Sequence, residues 1–329
     1  MTVAPRDGWN GLVAIDKPAG VTSHDVVALL RKRLGSPGAG HLGTLDPSAT
    51  GLLIVALGAA TRAIRVWQGG TKTYQATLRF GVVTDSQDLA GRVLETRDTS
   101  GLDEARVRAA SDAFIGTTEQ VPPMVSALKV GGERLHALAR RGVEVERAPR
   151  VVTVHAWEWL GFDLPEARCR VTCSGGTYVR TLAHDLGAAL GTGAALAALR
   201  RTRSEPFGLE RAVPLAALDA WTPEQVLERA GIPLDEALGV LPSVPLDEAA
   251  ASLLGMGGRP AIASPPPALP DPPLAVVFRD VSGRALALGA RLPDPARSAH
   301  SLAAASVVFP WAVRSGPGHR EPAPAEGPA

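Results

Sequence analysis

The sequence of 329 residues contains only two cysteines and no long apolar run. Two cysteines cannot build a disulfide framework, and no further cysteine is present to complete a zinc site with them. Cys169 and Cys173 lie in an alternating apolar stretch, so we expect both to be core residues on one face of a strand. The longest apolar run, residues 52–60, is shorter than the roughly 20 residues that a membrane-spanning helix needs. The N-terminal residues, 1–10, also lack an apolar signal region, so the sequence predicts a cytoplasmic protein.

Lysine and net charge are scarce as well. Four of the 34 basic residues are lysines, and the basic residues nearly balance 33 acidic ones. The charge is unevenly spread, because residues 1–213 hold 26 basic and 21 acidic residues whereas residues 214–329 hold 8 and 12. The front two-thirds is therefore the better candidate for binding a polyanion. Its arginines also suit bidentate contacts to phosphate.

Hydrophobic periodicity predicts a mixture of helices and strands in the first two-thirds of the chain. The length favours two domains, and the ordinary hydrophobic and charged contents, 45% and 20%, exclude wholesale disorder. These elements follow no strict βαβ repeat, so we expect residues 1–243 to form a mixed α/β (α+β) domain with a largely antiparallel sheet. Helices are predicted from Thr22 or Ser23 to Leu34, over 103–114 and over 177–190, and strands over 11–15, 74–80, 151–160 and 167–173.

Proline marks a change of composition after Leu241. Residues 260–273 contain seven prolines, which no central strand or helix accommodates. The sequence predicts a small β domain over residues 244–313, followed by a disordered tail, residues 314–329, that is rich in Pro, Gly, Ala and Glu. Short strands of this domain are predicted over 274–278, 285–288 and 306–309.

The glycine-rich segment from Gly40 to Gly51 contains a histidine, His41, and a carboxylate, Asp46. Glycines let the backbone approach a ligand closely. The segment has neither the GKS or GKT ending of a P-loop nor the GxGxxG pattern of dinucleotide-binding folds, so the carboxylate is its most informative group. Because Asp before Pro often opens a turn, the residues alone leave open whether Asp46 is functional.

Arg180 stands against its local electrostatics. It falls in the first turn of the predicted helix 177–190, where the helix dipole disfavours a cation. Such an arginine requires a nearby carboxylate or phosphate.

Two other segments are ambiguous by themselves. Tyr74 begins a strand, where most tyrosines belong to the core, and residues 120–129 precede a basic cluster that is also typical of an ordinary solvated surface.

The sequence contains, in this order, Asp16, Lys17, Pro18, Gly20, Thr22 and Ser23, then 40–51, Lys72, Tyr74, 122–129, 176–182 and 199–203. This ordered set resembles the TruB family of bacterial tRNA pseudouridine-55 synthases. The resemblance begins at Gly11 and continues to Arg203, so it covers the whole first domain.

The second domain is similar to the family's C-terminal PUA domain through residues 281–284 and 308–310. The sequence departs from the family pattern at His136, where a tyrosine is usual, and at Glu205, where a glycine is common. Neither departure touches Asp46 or Arg180.

The resemblance implies the pseudouridine synthase fold and the isomerisation of uridine 55 in the T-arm loop of tRNA. This reaction breaks the bond from C1′ to N1, turns the uracil and rejoins it through C5. No atoms are gained or lost, so neither a cofactor nor a metal is implied. The resemblance assigns the necessary carboxylate to Asp46, which attacks the sugar, attacks C6 of the base or abstracts a sugar proton. Each role requires the ionised form, and Arg180 is the expected partner that lowers its pKa.

The resemblance also implies roles for residues around a base that is flipped out of the RNA. Tyr74 stacks on the base and accepts or relays the C5 proton, and His41 fills the vacated space. Tyr178 lines the pocket, and Leu199 closes its apolar wall. The expected phosphate contacts are Lys17, Lys129, Arg134, Arg140, Arg141, Arg200 and Arg201.

The implied partner is tRNA, bound through its T stem-loop and, by the second domain, through its acceptor end. We expect a monomer that needs neither a guide RNA nor a membrane. A non-catalytic RNA-binding module is the first alternative, and the presence of Asp46, Tyr74 and Arg180 together argues against it. A guide-RNA-dependent relative is disfavoured by the lack of a long basic tail. A hydrolase is disfavoured because no His-acid pair or metal-ligand spacing accompanies Asp46.

Overall fold

The computed structural model describes residues 9–126, 128–130, 132–135, 138, 141–143, 145–262, 275–293 and 301–312. Helices α1 to α8 run over Ser23–Arg33, Ile64–Gln68, Glu104–Asp112, Val179–Leu190, Ala217–Ala220, Pro223–Ala230, Leu234–Ala237 and Glu248–Gly255. Strands β1 to β10 run over Gly11–Lys17, Ala39–His41, Thr50–Leu57, Lys72–Phe80, Val82–Thr84, Val93–Thr96, Gly116–Gln120, Lys129–Val130, Glu133–Arg134 and Arg150–Asp163. Strands β11 to β20 run over Glu166–Cys173, Ala194–Ser204, Phe207–Gly208, Val213–Pro214, Gly231–Pro233, Ser243–Pro245, Ala261–Ile262, Val276–Arg279, Ala285–Pro293 and Ser301–Val308.

An eleven-stranded sheet organises the first two-thirds of the chain. Its main path is β14-β1-β3-β12-β4-β11-β10-β7, with β2, β13 and β15 attached at its side. The pairs β1 with β14 and β12 with β3 are parallel, and the other pairs of this sheet are antiparallel. The predicted mixed α/β fold with a largely antiparallel central sheet is confirmed.

Strand β1 is buried on both faces of this sheet. Val13 and Ile15 point into one apolar cluster, shared with α1 and α4, while Leu12 and Ala14 point into another. The sequence of a strand that is covered on both faces is typically a continuous apolar run. Burying each leucine or valine contributes about 1.5–3 kcal/mol to folding, so the middle of the sheet is a rigid support for the loops at its ends.

A second sheet, in the order β16-β18-β19-β20-β17, follows the first. Val277, Leu288 and Phe309 pack into the same cluster as Leu12 and Ala14, so the small β sheet rests on the back of the large one. The predicted strands are observed with shifted bounds. The expected tail, residues 314–329, and most of the proline-rich stretch lie outside the described residues, among which no helix is long and apolar enough to cross a membrane.

The elements that flank the site begin and end where the sequence predicts. Helix α1 starts after Thr22, whose side chain accepts from the amide of Asp25 while the Asp25 carboxylate accepts from the amide of Thr22. Helix α4 ends at Gly191, which adopts the left-handed conformation. Cys169 and Cys173 are buried free thiols, and burial raises the pKa of each, as expected of core residues.

Candidate active site

Seven of the predicted site residues line one cavity of about 430 Å³, which lies within the usual size range of ligand pockets. The glycine-rich loop forms one side of it. Strands β4 and β12 form the floor, and the start of α4 forms the opposite side. The seven residues are His41, Asp46, Tyr74, Tyr178, Arg180, Leu199 and Arg201.

The loop that carries Asp46 is held from α1 and from the end of β1. The Ser23 hydroxyl accepts from the amide of Leu45 at 2.8 Å and donates to its carbonyl oxygen at 2.9 Å. The carbonyl of Pro47 accepts from the amide of Gly20 at 2.8 Å. Residues on both sides of Asp46 are therefore fixed, which presents its carboxylate to the cavity in a defined place.

Lys17 belongs to this support, and the prediction that it contacts phosphate is wrong. Its side chain is fully buried, and Nζ donates to the carbonyl oxygens of Pro18 at 2.9 Å, Val21 at 2.8 Å and Pro47 at 3.4 Å. Burial lowers the pKa of Lys17 to about 8, although the nearby Asp46 charge raises it. Three carbonyl acceptors within the fold take the place of the phosphate that the sequence suggested.

Arg180 reaches Asp46 from the first turn of α4, as its position against the helix dipole predicts. Its Nη2 lies 3.5 Å from Oδ2 of Asp46 and donates to the carbonyl of Val125 at 2.5 Å. Its Nη1 lies 3.9 Å from Oδ2 of a second carboxylate, Asp88. The Arg180 side chain is only 4% exposed, whereas that of Asp46 is 36% exposed and open to the cavity. A guanidinium clamped between two carboxylates satisfies the electrostatic requirement read from the sequence.

Burial and charge act on the pKa of Asp46 in opposite directions. Burial raises the pKa, the charge of Arg180 lowers it, the charge of Asp88 raises it and that of Lys17 lowers it, and the net direction is upward. Ionisation of Asp46 therefore depends on Arg180. On the floor, burial raises the pKa of the Tyr74 hydroxyl, against a lowering by the charge of Arg201.

Tyr178 and His41 both line the cavity. Gln120, at the end of β7, accepts from the Tyr178 amide at 2.8 Å and donates to its carbonyl at 3.1 Å. The Arg180 guanidinium lies over the Tyr178 ring, 5.6 Å from its centroid. Burial lowers the pKa of His41, as do the charges of Arg201 and His24, so its imidazole is neutral near pH 7.

Known proteins are similar to this chain in sequence and in fold. Residues 31–179 match the model of the TruB family pseudouridylate synthase N-terminal domain, and residues 180–239 match that of the tRNA pseudouridylate synthase B C-terminal domain. The tRNA pseudouridine synthase B of Gloeobacter violaceus is 52% identical over 214 residues, 64% of this chain and 73% of that protein. That of Opitutus terrae is 47% identical over 235 residues, 71% of this chain and 97% of that protein. The chain belongs to the TruB family.

Solved structures agree with this assignment. The Cbf5-Nop10-Gar1 complex matches with a TM-score of 0.66 and 27% identity over 91% of this chain and 85% of that one. An H/ACA RNP bound to a substrate RNA containing 2′-deoxyuridine matches with a TM-score of 0.65 and 25% identity over 91% and 84%. The fold shared with these solved structures thus extends over nearly the whole chain.

The basic residues that the TruB resemblance assigned to phosphate differ from one another in exposure and in the partners of their side chains. Arg200 makes a bidentate ion pair with Asp16, at 3.0 and 2.6 Å, and Arg201 is buried with its guanidinium on backbone carbonyls. The prediction of a phosphate contact is therefore wrong for Arg201, which is only 2% exposed. Arg141 is exposed and paired with Glu133. Lys129 and Arg134 lie on the β8-β9 hairpin, and Arg140 lies outside the described residues.

Asp88 is the residue of this TruB site that the sequence analysis missed. It is nearly buried in the turn after β5, where its Oδ1 accepts from the Ser86 hydroxyl at 2.7 Å and from the Ala90 amide at 3.1 Å. The residue types at 85–88 are those of an ordinary turn, so the sequence carries no signal for this residue. In the structure the neighbouring Gln87 has a φ of +67°, a conformation that a non-glycine residue rarely adopts.

In a plot of rate against pH, replacing Asp88 with Asn should move the acidic limb, where the rate falls on acidification, to lower pH. The change removes a negative charge that raises the pKa of Asp46, so Asp46 stays ionised at lower pH. The rate on the plateau should fall about 10-fold, or about 1.4 kcal/mol, because Arg180 loses one of its two anionic partners. Single-turnover rates across pH test both effects. A limb that moves upward instead would contradict the assigned role of Asp88.

Proposed function

We propose that this TruB-family chain converts uridine 55 in the T-arm loop of tRNA to pseudouridine, with Asp46 as the catalytic carboxylate. The observation that carries the proposal is the contact of Asp46 with Arg180 inside a cavity whose floor is Tyr74. The names of relatives that are 47–52% identical support tRNA as the substrate.

The isomerisation requires a carboxylate beside the sugar and the base. The bond from C1′ to N1 breaks, the uracil turns, C5 bonds to C1′, and the proton leaves C5 while N1 gains one. Asp46 attacks C1′, attacks C6 or takes a sugar proton, and each role needs its anion. Arg180 keeps the carboxylate ionised and oriented in a site where burial alone would favour the neutral acid.

The target uridine must leave the stack to enter this cavity, at a cost of roughly a few kcal/mol. Tyr74 and Leu199 offer an aromatic face and an apolar wall to the flipped base, and Tyr178 bounds the pocket from the start of α4. His41, neutral and at the loop edge, is positioned to occupy the space that the base leaves in the RNA. Stacking on an aromatic side chain is the usual way in which single-stranded bases are held.

We also propose that the chain acts as a monomer, without a guide RNA. The named tRNA enzymes are 47–52% identical to it, whereas the RNA-protein assembly with a similar fold is 25% identical. Residues 1–243 form the catalytic domain, and residues 244–313 form a PUA-like domain that touches the acceptor end. Arg284, in the turn before β19, is an exposed basic group of this domain, whereas Arg279 is paired with Asp235.

Incubating the purified chain with an unmodified tRNA transcript, followed by mapping of pseudouridine, tests this function. Pseudouridine at position 55 without added RNA or protein is the expected result. A transcript with cytidine at position 55 is the matched control and should remain unmodified. Binding without any isomerisation would favour a non-catalytic RNA-binding module, and activity only with an added guide RNA would favour the guided alternative.

Binding of tRNA should weaken with salt through contacts made by the first domain. The logarithm of the affinity should fall with the logarithm of salt concentration by roughly 0.7 to 0.9 per phosphate contact. Arg141→Gln should lower that slope by about one contact. Arg284→Gln removes a charge from the second sheet, where the guanidinium lies 4.5 Å from the Trp311 ring centroid, and should change the slope less. A larger effect of Arg284→Gln would show that the second domain dominates binding.

A further inference from the structure

Arg201 lies at the junction of three strands under the cavity. It is opposite Gly51 in the parallel pair of β12 with β3, and opposite Tyr74 in the antiparallel pair of β12 with β4. The backbone of Gly51 is so close that a Cβ there would lie 2.3 Å from the carbonyl oxygen of Arg201. The position of Arg201 is therefore fixed from both sides by strand pairing.

The guanidinium of Arg201 donates to three backbone carbonyls, two in the loop that carries Asp46 and one in β3. Nε donates to Leu52 at 2.7 Å, Nη1 to Thr44 at 3.3 Å and Nη2 to Gly43 at 3.1 Å. Gly43 and Thr44 precede Asp46 by three and two residues. The planar, five-donor fork of arginine serves three acceptors at once, which a lysine ammonium on its flexible stem cannot do in the same geometry.

The same guanidinium acts on Tyr74. Burial raises the pKa of the Tyr74 hydroxyl, and both the charge of Arg201 and a side-chain hydrogen bond with it lower that pKa. Because Arg201 and Tyr74 are cross-strand partners, one buried cation holds the loop on one side of the cavity and neighbours the phenol on its floor. Since the side chain is 2% exposed, it has no surface for an RNA phosphate.

We propose that Arg201 is a positioning residue that fixes where the Asp46 loop lies relative to the Tyr74 hydroxyl. The inference rests on the proposed function, because it gives a role in isomerisation to a side chain that acts through Asp46 and Tyr74. Ser23 and Lys17 hold the loop from its outer side, whereas Arg201 links it to the residue that faces the base. Removing Arg201 displaces the two groups relative to each other while the outer anchors remain.

Arg201→Met and Arg201→Lys test this role in the full-length protein. Displacement of reacting groups by about 1 Å costs about 100-fold in rate, so the single-turnover rate of Arg201→Met should fall by that order. Arg201→Lys should lie between Arg201→Met and the wild type. The dissociation constant for tRNA should change less than about threefold, since no phosphate contact is lost. Arg79→Met, which removes an exposed ion pair with Glu166 from the same strand as Tyr74, is the control and should keep the wild-type rate.

A double-mutant cycle with Tyr74→Phe separates positioning from loss of stability. If Arg201 acts through the hydroxyl, the Tyr74→Phe change costs less in Arg201→Met than in the wild type. Full additivity of the two changes would overturn the proposal, as would a wild-type rate in folded Arg201→Met. A loss of rate that is matched by an equal loss of tRNA affinity would also overturn it and restore a phosphate contact.

An NMR measurement that needs no turnover distinguishes a failure of the role proposed for Arg201 from a failure of the proposed function. The chain has two tyrosines, Tyr74 and Tyr178, so ¹³Cζ-tyrosine labelling gives two signals, which Tyr178→Phe assigns. The Tyr74 signal should shift in Arg201→Met or, if that variant fails to fold, in Arg201→Lys, and should stay in place in Arg79→Met. An unmoved Tyr74 signal in a folded Arg201 variant would overturn the proposal. A wild-type chain that forms no pseudouridine would instead refute the function.

Discussion

Replacing Asp46 with alanine is expected to abolish pseudouridine formation while leaving tRNA binding intact or stronger. Every mechanism open to this site uses the Asp46 anion, and the rate should fall by at least about 10⁴-fold, the upper range for loss of a general acid or base. Binding should persist because a carboxylate among polyanion contacts repels phosphate. The single-turnover rate and the tRNA dissociation constant, measured on the same preparation, check the two halves of the expectation.

Asp46→Asn is the matched variant because it keeps the shape of the side chain and removes only the charge. It should be as inactive as alanine if charge is essential. Ser23 and Gly20 hold the loop through Leu45 and Pro47, so neither variant should disturb its backbone. Measurable turnover by Asp46→Ala would refute the assignment of Asp46, and loss of tRNA binding by both variants would place the residue in RNA recognition.

The need of Arg180 for a nearby anion could be predicted because its cause is local, and the family resemblance supplied the partner. A cation in the first turn of a helix is unfavourable without an anion, and Asp46 was the acidic residue that the family resemblance brought near. The second carboxylate could not be found in this way. Asp88 sits in a turn with serine and glycine around it, and only the three-dimensional path of residues 84–90 brings it within 3.9 Å of Arg180.

The two basic residues wrongly predicted to contact phosphate, Lys17 and Arg201, show where charge patterns mislead. The sequence gives the sign of a side chain's charge but not how exposed the side chain is. A lysine or an arginine is rarely fully buried, so exposure is the usual expectation. Both are buried here because loop carbonyls next to Asp46 lack partners in any sheet, and these two side chains supply the donors. Cations that look like an RNA surface in the sequence are instead supports of the catalytic loop.

Strand β12, like its neighbour β3, is a fold element that the sequence patterns did not predict. Its start is rich in alanine and leucine, which are typical of helices, and it becomes a strand because it fills the gap between β3 and β4. Leu199 and Arg201 reach the cavity only through this placement. The elements β1, β4, β10, β11, α1, α3 and α4 carry clear periodicity or caps, which is why their positions could be predicted within a few residues.

Arg180→Met should lower the single-turnover rate by about 100-fold or more and move the acidic limb of activity to higher pH. The rate loss follows from the loss of orientation, since Nη1 and Nη2 hold two different carboxylates and the Val125 carbonyl. The direction of the pH shift follows from the pKa of Asp46, which burial raises and Arg180 lowers. Without Arg180 the carboxylate accepts a proton at higher pH, so the active anion is lost earlier as the solution is acidified.

Arg180→Lys separates the two contributions of that side chain. A lysine keeps the positive charge but offers no planar fork to reach Asp46 and Asp88 together, so its acidic limb should stay closer to that of the wild type while its plateau rate remains reduced. Asp88→Asn moves the limb the opposite way, because Asp88 raises the pKa of Asp46 that Arg180 lowers. Rates measured across pH for the three variants therefore give a signed pattern that general loss of stability does not produce. A wild-type rate with an unmoved limb in Arg180→Met would show that the ion pair has no part in catalysis.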